Sequence, residues 1–246
     1  MEHTLTTQIK PDKHSDLPKK QQVEQMFDSI APKYDFLNHF LSAGIDNLWR
    51  KRAINTLLTK KPKYILDMAT GTGDLAFEAL KRLNPDKIVG LDISEGMLSC
   101  ARKKAKQRSI EKISFERGDS ENINYNENTF DAVTVAFGVR NFENLHKGLK
   151  ELQRVLKPGG SVVVLEFSKP QNFPVKEIYN FYFAKILPLW GKIISKDNQA
   201  YTYLPESVMA FPEGRDFLQR LEQAGFKETK AKKLTFGICS LYTAIK

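Results

Sequence analysis

Residues 64–80 read YILDMATGTGDLAFEAL, two glycines and two aspartates set between an apolar run and a run of helical spacing. YILDM predicts a strand, DLAFEALKRL a helix, and ATGTGD the bend that joins them. Gly71 and Gly73 let the backbone turn tightly and let a ligand approach where a Cβ would obstruct it. The run Gly71-Thr72-Gly73-Asp74-Leu75-Ala76 also satisfies the relaxed dinucleotide pattern G-x-G-x-x-G/A, so the bend alone leaves its ligand open.

Outward from the bend, short apolar runs alternate with helical ones. KIVGLDIS, ISFERGD, FDAVTVAFG and SVVVLEFS read as strands, EGMLSCARKKAKQR and NLHKGLKELQRVL as helices, and KPGG as a turn. Strands separated by helices predict a parallel sheet covered on both faces. The ending departs from this pattern. GRDFLQRLEQAGF is a helix stopped at Gly225, and KETKAKKLTF and CSLYTAIK are strands with no helix between them. They predict an antiparallel hairpin turning near Gly237, added to the parallel sheet. The expected architecture is a mostly parallel, seven-stranded α/β sheet of Rossmann-like type. Upstream, Val23, Met26, Phe27 and Ile30 and then Ile45 to Leu58 predict helices divided at Pro32 and Gly44. One domain over residues 21–246 follows a loose tail of residues 1–20, with a helical cap over 21–60 and a helical insertion over 169–214.

The 246 residues are 41% hydrophobic and carry a formal charge of +9, which suits an anionic partner, although solvated lysine and arginine faces explain the charge equally well. Cys100 and Cys239 show neither metal nor disulfide spacing, and the four scattered histidines form no ligand pair, so no metal is expected. No apolar run approaches the ~20 residues that span a bilayer. The first twenty residues lack a signal core, contain no arginine and hold Glu2, Asp12 and Asp16, which argues for a cytoplasmic protein.

No G-x-x-x-x-G-K-[ST] run supplies a triphosphate lysine. Asp67 and Asp74 flank the glycines with negative charge, a poor setting for pyrophosphate and a good one for a cation. S-adenosylmethionine carries a sulfonium and an ammonium and no phosphate. On that reading Asp67 acts directly or through water, and Thr72 with backbone amides holds the amino-acid end. Asp92 ends VGLD, 19 residues after Gly73, where its two oxygens suit both ribose hydroxyls; capping the helix from Ser94 is the competing role. Asp119 suits the adenine amine and the Ser120 amide a ring nitrogen; a turn aspartate bonded to its own loop is the alternative. Acids ending three successive strands, with a terminal hairpin, point to a class I S-adenosylmethionine-dependent methyltransferase fold.

VTVAFGVRNFEN at residues 133–144, with VLKPGG and VLEFSKP, resembles the family of menaquinone and ubiquinone biosynthesis C-methyltransferases. YDFLNHFLSAGIDNLWRKR, NFYFAKILPLWGKIIS and YTYLPESVMAFP resemble it too, so coverage runs from about Val23 to the end. The resemblance implies methylation of a polyprenylated quinol ring carbon, demethylmenaquinol to menaquinol, releasing S-adenosylhomocysteine. It adds Ala136 to the cofactor side; some members carry Ser there, and some carry Asn-Ala where Asp119-Ser120 stands.

A quinol ring carbon becomes nucleophilic when a hydroxyl loses its proton, so the site needs an oxyanion donor and an apolar slot that excludes water. Arg140 and Asn141 are the oxyanion candidates, with an Arg140–Glu143 ion pair as the structural alternative. Tyr34 orients the quinol or relays a proton, or else simply packs between helices. The aromatic segment Phe173–Ile194 is read as a helix pair or as a prenyl channel facing the inner surface of a bacterial membrane. Alternatives are the benzoquinol step, another small aromatic acceptor, or a noncatalytic quinone-binding assembly protein. A nucleic-acid partner is not expected, since no appended RNA module is visible; a homodimer is left open.

Overall fold

The computed structural model describes residues 9–35, 42, 44–182, 185 and 199–246. Among them, seven strands form one sheet: β1 (Tyr64–Met68), β2 (Lys87–Asp92), β3 (Ile113–Arg117), β4 (Phe130–Ala136), β5 (Leu156–Phe167), β6 (Lys227–Leu234) and β7 (Cys239–Ile245). Their order is β3-β2-β1-β4-β5-β7-β6. The first five pair in parallel, and β7 runs antiparallel to both β5 and β6.

Side-chain alternation along the strands builds two cores. Leu66, Met68, Val133, Val135, Val162 and Val164 face one way, against helices α5 (Leu145–Val155) and α8 (Arg215–Gln223). Ile65, Ile88, Ala132, Val163 and Leu165 face the other, against α2 (Ile45–Asn55), α3 (Asp74–Leu83) and α4 (Glu95–Gln107). Burial on both faces is why these strands read as unbroken apolar runs. The chain proceeds from β1 to β3 on one side and resumes with β4 on the other, so a crevice opens at the carboxyl ends of β1 and β4.

Several boundaries differ from expectation. KPGG belongs to β5 as a bulge: Gly159 takes φ +75°, and the β4–β5 register shifts between Phe130 and Ala132 to absorb it. Strand β3 stops at Arg117, leaving Asp119 beyond it in a turn closed by a bridge to Asn122. Strand β4 stops at Ala136 because Phe137 adopts φ +58°. The hairpin turns through Thr235–Gly237, as the glycine suggested.

Helix α1 (Lys19–Ile30) takes in Lys19 and Lys20, which the sequence placed in a loose tail. The residues before it are tied down as well: the Asp12 amide donates to Gln22 Oε1 at 2.8 Å, and Lys13 pairs with Glu206 at 2.7 Å. Two helices of the insertion are described, α6 (Val175–Phe181) and α7 (Gln199–Ala210). Much of the aromatic segment Phe173–Ile194 lies outside the described residues.

Candidate active site

A cavity of about 680 Å³, its open mouth included, lies at the carboxyl ends of the strands. Its lining comes from Met68, Ala69 and Gly71 at the end of β1, Asp92 and Ile93 at the end of β2, Gly118–Glu121 after β3, and Ala136–Gly138 with Asn141 and Phe142 at the end of β4. Lys20, Val23 and Phe27 of α1, with Tyr34, line it as well. A second lobe of about 370 Å³ shares Tyr34, Ala69, Gly71, Ala136 and Phe137 and adds Asp67, Thr72, Arg50 and Asp74. The two lobes therefore form one trough around the glycine bend.

Of the cofactor residues expected from sequence, Gly71, Asp92, Asp119, Ser120 and Ala136 line the main cavity, and Asp67 and Thr72 the second lobe. Gly73 lines neither. It takes φ +86°, and a Cβ there would stand 2.7 Å from Cζ of Phe115, so its work is close packing beneath the bend. Gly71, at φ +56°, has open space within 4 Å of where a Cβ would be.

Asp92 is buried, with Oδ2 accepting from the Gly71 amide at 2.8 Å and Oδ1 from the Ser94 amide at 2.9 Å. Ser94 itself caps α4 by accepting from the Met97 amide at 3.1 Å. Burial pushes the Asp92 carboxyl up, and the backbone donors oppose this. Asp67 is more enclosed, accepting from Thr70 and Thr134 hydroxyls at 2.6 Å each. Desolvation raises its pKa to about 6.

The charges around the bend differ from the expected pair of uncompensated negative charges. Lys104 pairs with Asp74 at 2.8 Å and Asp35 at 2.6 Å, and Arg50 reaches Asp74 at 3.7 Å, so Asp74 is neutralised locally. Thr72 donates its hydroxyl to Asp35 at 2.5 Å. Asp119 accepts from the Glu121 amide at 2.9 Å and pairs with Lys20 at 2.7 Å.

Helix α1 is fastened over the trough by polar contacts. Asp28 accepts from the Ser94 hydroxyl at 2.6 Å and the Gly96 amide at 2.8 Å, at the start of α4. Lys19, buried, donates to the carbonyls of Arg140 at 3.0 Å and Phe142 at 2.9 Å. Burial, reinforced by the Arg140 charge, brings its pKa down to about 8.

On the acceptor side, Tyr34 and Asn141 line the cavity, whereas Arg140 does not. The expected oxyanion role is not what its placement supports: its guanidinium pairs with Glu166 at 2.7 Å, a structural pairing but with a different acid from the alternative Glu143, and lies 5.5 Å from the Phe167 ring centre. Glu166 is fully buried, and Arg140 Nε is buried with no hydrogen-bond partner among the described residues. The Tyr203 hydroxyl donates to Asn141 Oδ1 at 3.1 Å. Sequence reasoning missed Glu166, Tyr203 and Lys20. Only Glu166 carried a local signal, a lone acid inside the apolar strand VVVLEF.

Comparison with known proteins decides the family. A family model described as the ubiE/COQ5 methyltransferase family matches residues 16–246. The chain belongs to the ubiE/COQ5 methyltransferase family. A demethylmenaquinone methyltransferase of Bacteroides fragilis is 51% identical over 94% of this chain and 95% of its own. One from Deinococcus radiodurans is 43% identical over 98% and 100%. A ubiquinone/menaquinone biosynthesis C-methyltransferase of Geobacter sulfurreducens is 44% identical over 93% and 90%.

Among solved structures, an S-adenosylmethionine-dependent methyltransferase of Thermotoga maritima superposes with a TM-score of 0.63 at 20% identity, over 90% of this chain and 99% of that one. The [4+2]-cyclase SpnF does so at 0.66 and 18% identity, over 93% and 96%. A cyclase on the same fold shows that architecture does not fix chemistry. Family membership does: the chain is a methyltransferase, and family and fold imply S-adenosylmethionine as its donor. Among the described residues, no His, Cys, Asp and Glu side chains group to hold a metal, and no helix is long and apolar enough to cross a membrane.

Proposed function

We propose that the chain methylates a ring carbon of demethylmenaquinol, giving menaquinol. One observation carries this: the cavity at the acid-lined bend is lined as well by the apolar side chains Phe27, Met68, Phe137 and Phe142, with Asn141 among its polar groups. The acceptor is supported by relatives 40–51% identical over 94–98% of this chain whose names state demethylmenaquinone methyltransferase.

The trough suits the donor on its own terms. A left-handed glycine with open space beside it and a buried carboxylate bonded only to backbone amides suit a polyhydroxylated adenosine. Bound there, S-adenosylmethionine supplies a methyl group on a positively charged sulfur. Asp92 accepts the ribose hydroxyls, while Asp119 and the Ser120 amide take the adenine edge, Lys20 holding Asp119 in place. Asp67, Thr72 and the Ala136 backbone border the amino-acid end.

Loss of a quinol hydroxyl proton spreads negative charge onto the ring carbon, and the Asn141 amide donates to the resulting oxyanion. Tyr34, which lines both lobes, orients the ring. Arg140 acts as a positioning residue from behind, holding the Val139–Asn141 turn through Glu166. Helix α1 excludes water and so strengthens the attraction between quinolate and sulfonium.

The test is turnover of short-chain demethylmenaquinol and demethylated benzoquinol with methyl-labelled S-adenosylmethionine. Label in the naphthoquinol ring is expected. Label confined to the benzoquinol, or absent from both while S-adenosylhomocysteine still binds, overturns the reading.

A further inference from the structure

The five most exposed large apolar side chains among the described residues are Phe173, Ile178, Phe181, Met209 and Phe236, each at least 60% exposed. All belong to the insertion or the β6–β7 turn, and contacts bring these segments together. Pro170 lies 3.5 Å from the position of a Cβ on Gly237, and the Ser168 hydroxyl donates to the Gly237 carbonyl at 2.8 Å. Lys169 Nζ donates to the Met209 carbonyl at 3.1 Å. Tyr179 of α6 is buried where Glu166, Glu213 and Cys239 act on it, at the end of β5 and the start of β7, which leaves Ile178 and Phe181 outside.

We propose that this corner docks the enzyme onto an anionic lipid bilayer. Phe236, 81% exposed, takes φ +56° in a turn held from behind: the Trp49 indole donates to Thr235 Oγ1 at 2.7 Å. An aromatic ring displayed outward on a fixed turn, beside other apolar side chains, is an interfacial anchor. The second signal is charge. Strand β6 forms the free edge of the sheet, and its eight residues include Lys227, Lys230, Lys232 and Lys233 against one glutamate. Lys232 and Lys233 stand next to the turn that carries Phe236, and lysines so placed lay their stems along an interface while the ammonium groups reach lipid phosphates. A second copy docked on this corner would set two lysine edges against each other, whereas an anionic headgroup layer neutralises them.

The corner also adjoins the trough. Phe137, a wall of both lobes, lies 6.1 Å from the Trp49 ring and 4.6 Å from that of Phe167, so the turn bearing Phe236 backs onto the acceptor side. The inference deepens the proposed function by naming where a lipid-borne quinol would be delivered, and it rests on that reading for its purpose.

Co-sedimentation with phosphatidylcholine vesicles, with and without phosphatidylglycerol, tests it. Phe236→Asn keeps a residue that tolerates the left-handed turn, and Lys230→Glu/Lys232→Glu reverses charge on the exposed edge. The wild-type enzyme is expected to bind the anionic vesicles. Phe236→Asn should lower partitioning about tenfold, and the lysine pair should abolish the salt-sensitive part. Both variants should turn over a short-chain, water-soluble demethylmenaquinol as wild type does. Wild-type protein that leaves anionic vesicles unbound, variants that partition like it, or a dimer that buries Phe236 overturns the inference. Turnover of the soluble quinol without vesicle binding sinks docking alone; vesicle binding without turnover sinks the proposed function alone.

Discussion

Tyr203 donates its hydroxyl to Oδ1 of Asn141 at 3.1 Å, tying α7 of the insertion to the turn after β4. Tyr203 is 3% exposed, and burial pushes its phenol pKa up, so it stays a neutral donor throughout the working range. With the carbonyl side of the Asn141 carboxamide engaged, its donor side is what remains for a ligand. Tyr203→Phe removes that constraint without removing the donor. Turnover should fall roughly threefold to tenfold, with affinity for S-adenosylhomocysteine unchanged. Asn141→Ala should cost on the order of a hundredfold, and the double variant should be no worse. Strictly additive losses would show that the two side chains act separately.

Asp92 makes a second prediction. Its oxygens accept the Gly71 amide on one side and the Ser94 amide on the other, with the Ile93 amide engaged as well, and lone-pair capacity remains for ribose donors. Asp92→Asn replaces one oxygen with an amide group that faces an amide donor, and it removes the charge that strengthens both ribose contacts. Calorimetry with S-adenosylhomocysteine should show affinity lower by about tenfold or more, together with a lower melting temperature. Unchanged affinity would detach Asp92 from the ribose.

The strands, their order of appearance and the acids near the ends of β1 and β2 were legible because burial on both faces writes itself as apolar runs, whereas Asp119 stands past the end of β3. The roof over the site was not. Lys19 and Lys20 sit in a polar stretch that resembles a tail, and only partners about 100 residues away, Asp119 and the carbonyls of Arg140 and Phe142, make them part of a helix cap. Arg140 illustrates the same limit. Glu143 lay close in sequence, but the guanidinium turns inward to Glu166, across from it on β5. Asp74 read as an unbalanced negative charge because Lys104 is thirty positions away. Local pattern gives elements; charge pairing between elements follows the topology and leaves no periodic trace.

Asp67 predicts a pH dependence. Its folded pKa of about 6 lies above the ordinary value of 3.8, so between these values the folded state holds a proton that the unfolded chain has lost. Stability contributed by this group is therefore present below about pH 4 and declines as pH rises through about 6, by up to about 3 kcal/mol. Asp67→Asn can still bond both threonine hydroxyls and does not titrate. Subtracting its denaturation midpoints from the wild-type values should reveal a fall confined to pH 4–6. Parallel curves across that window would mean Asp67 is already ionised in the folded protein.

The two glycines of the bend should fail in different ways. Gly73→Ala drives a Cβ to 2.7 Å from the Phe115 ring, which also packs so tightly on the Gly90 backbone that a Cβ there would stand 2.7 Å from it. Phe115 is 7% exposed and packed in the core, so the ring has nowhere to go. Gly73→Ala should cost the fold roughly 2–4 kcal/mol, overpacking adding to the left-handed strain. Gly71→Ala meets no atom within 4 Å, and its fold penalty is the backbone term alone, about 1–2 kcal/mol. Its methyl group, however, stands in the trough where the donor must approach the backbone. Gly71→Ala should fold, melt a few degrees lower and lose S-adenosylhomocysteine binding, whereas any Gly73→Ala protein that folds should retain it. If Gly71→Ala bound the ligand as wild type does, the donor would have to approach the bend from elsewhere.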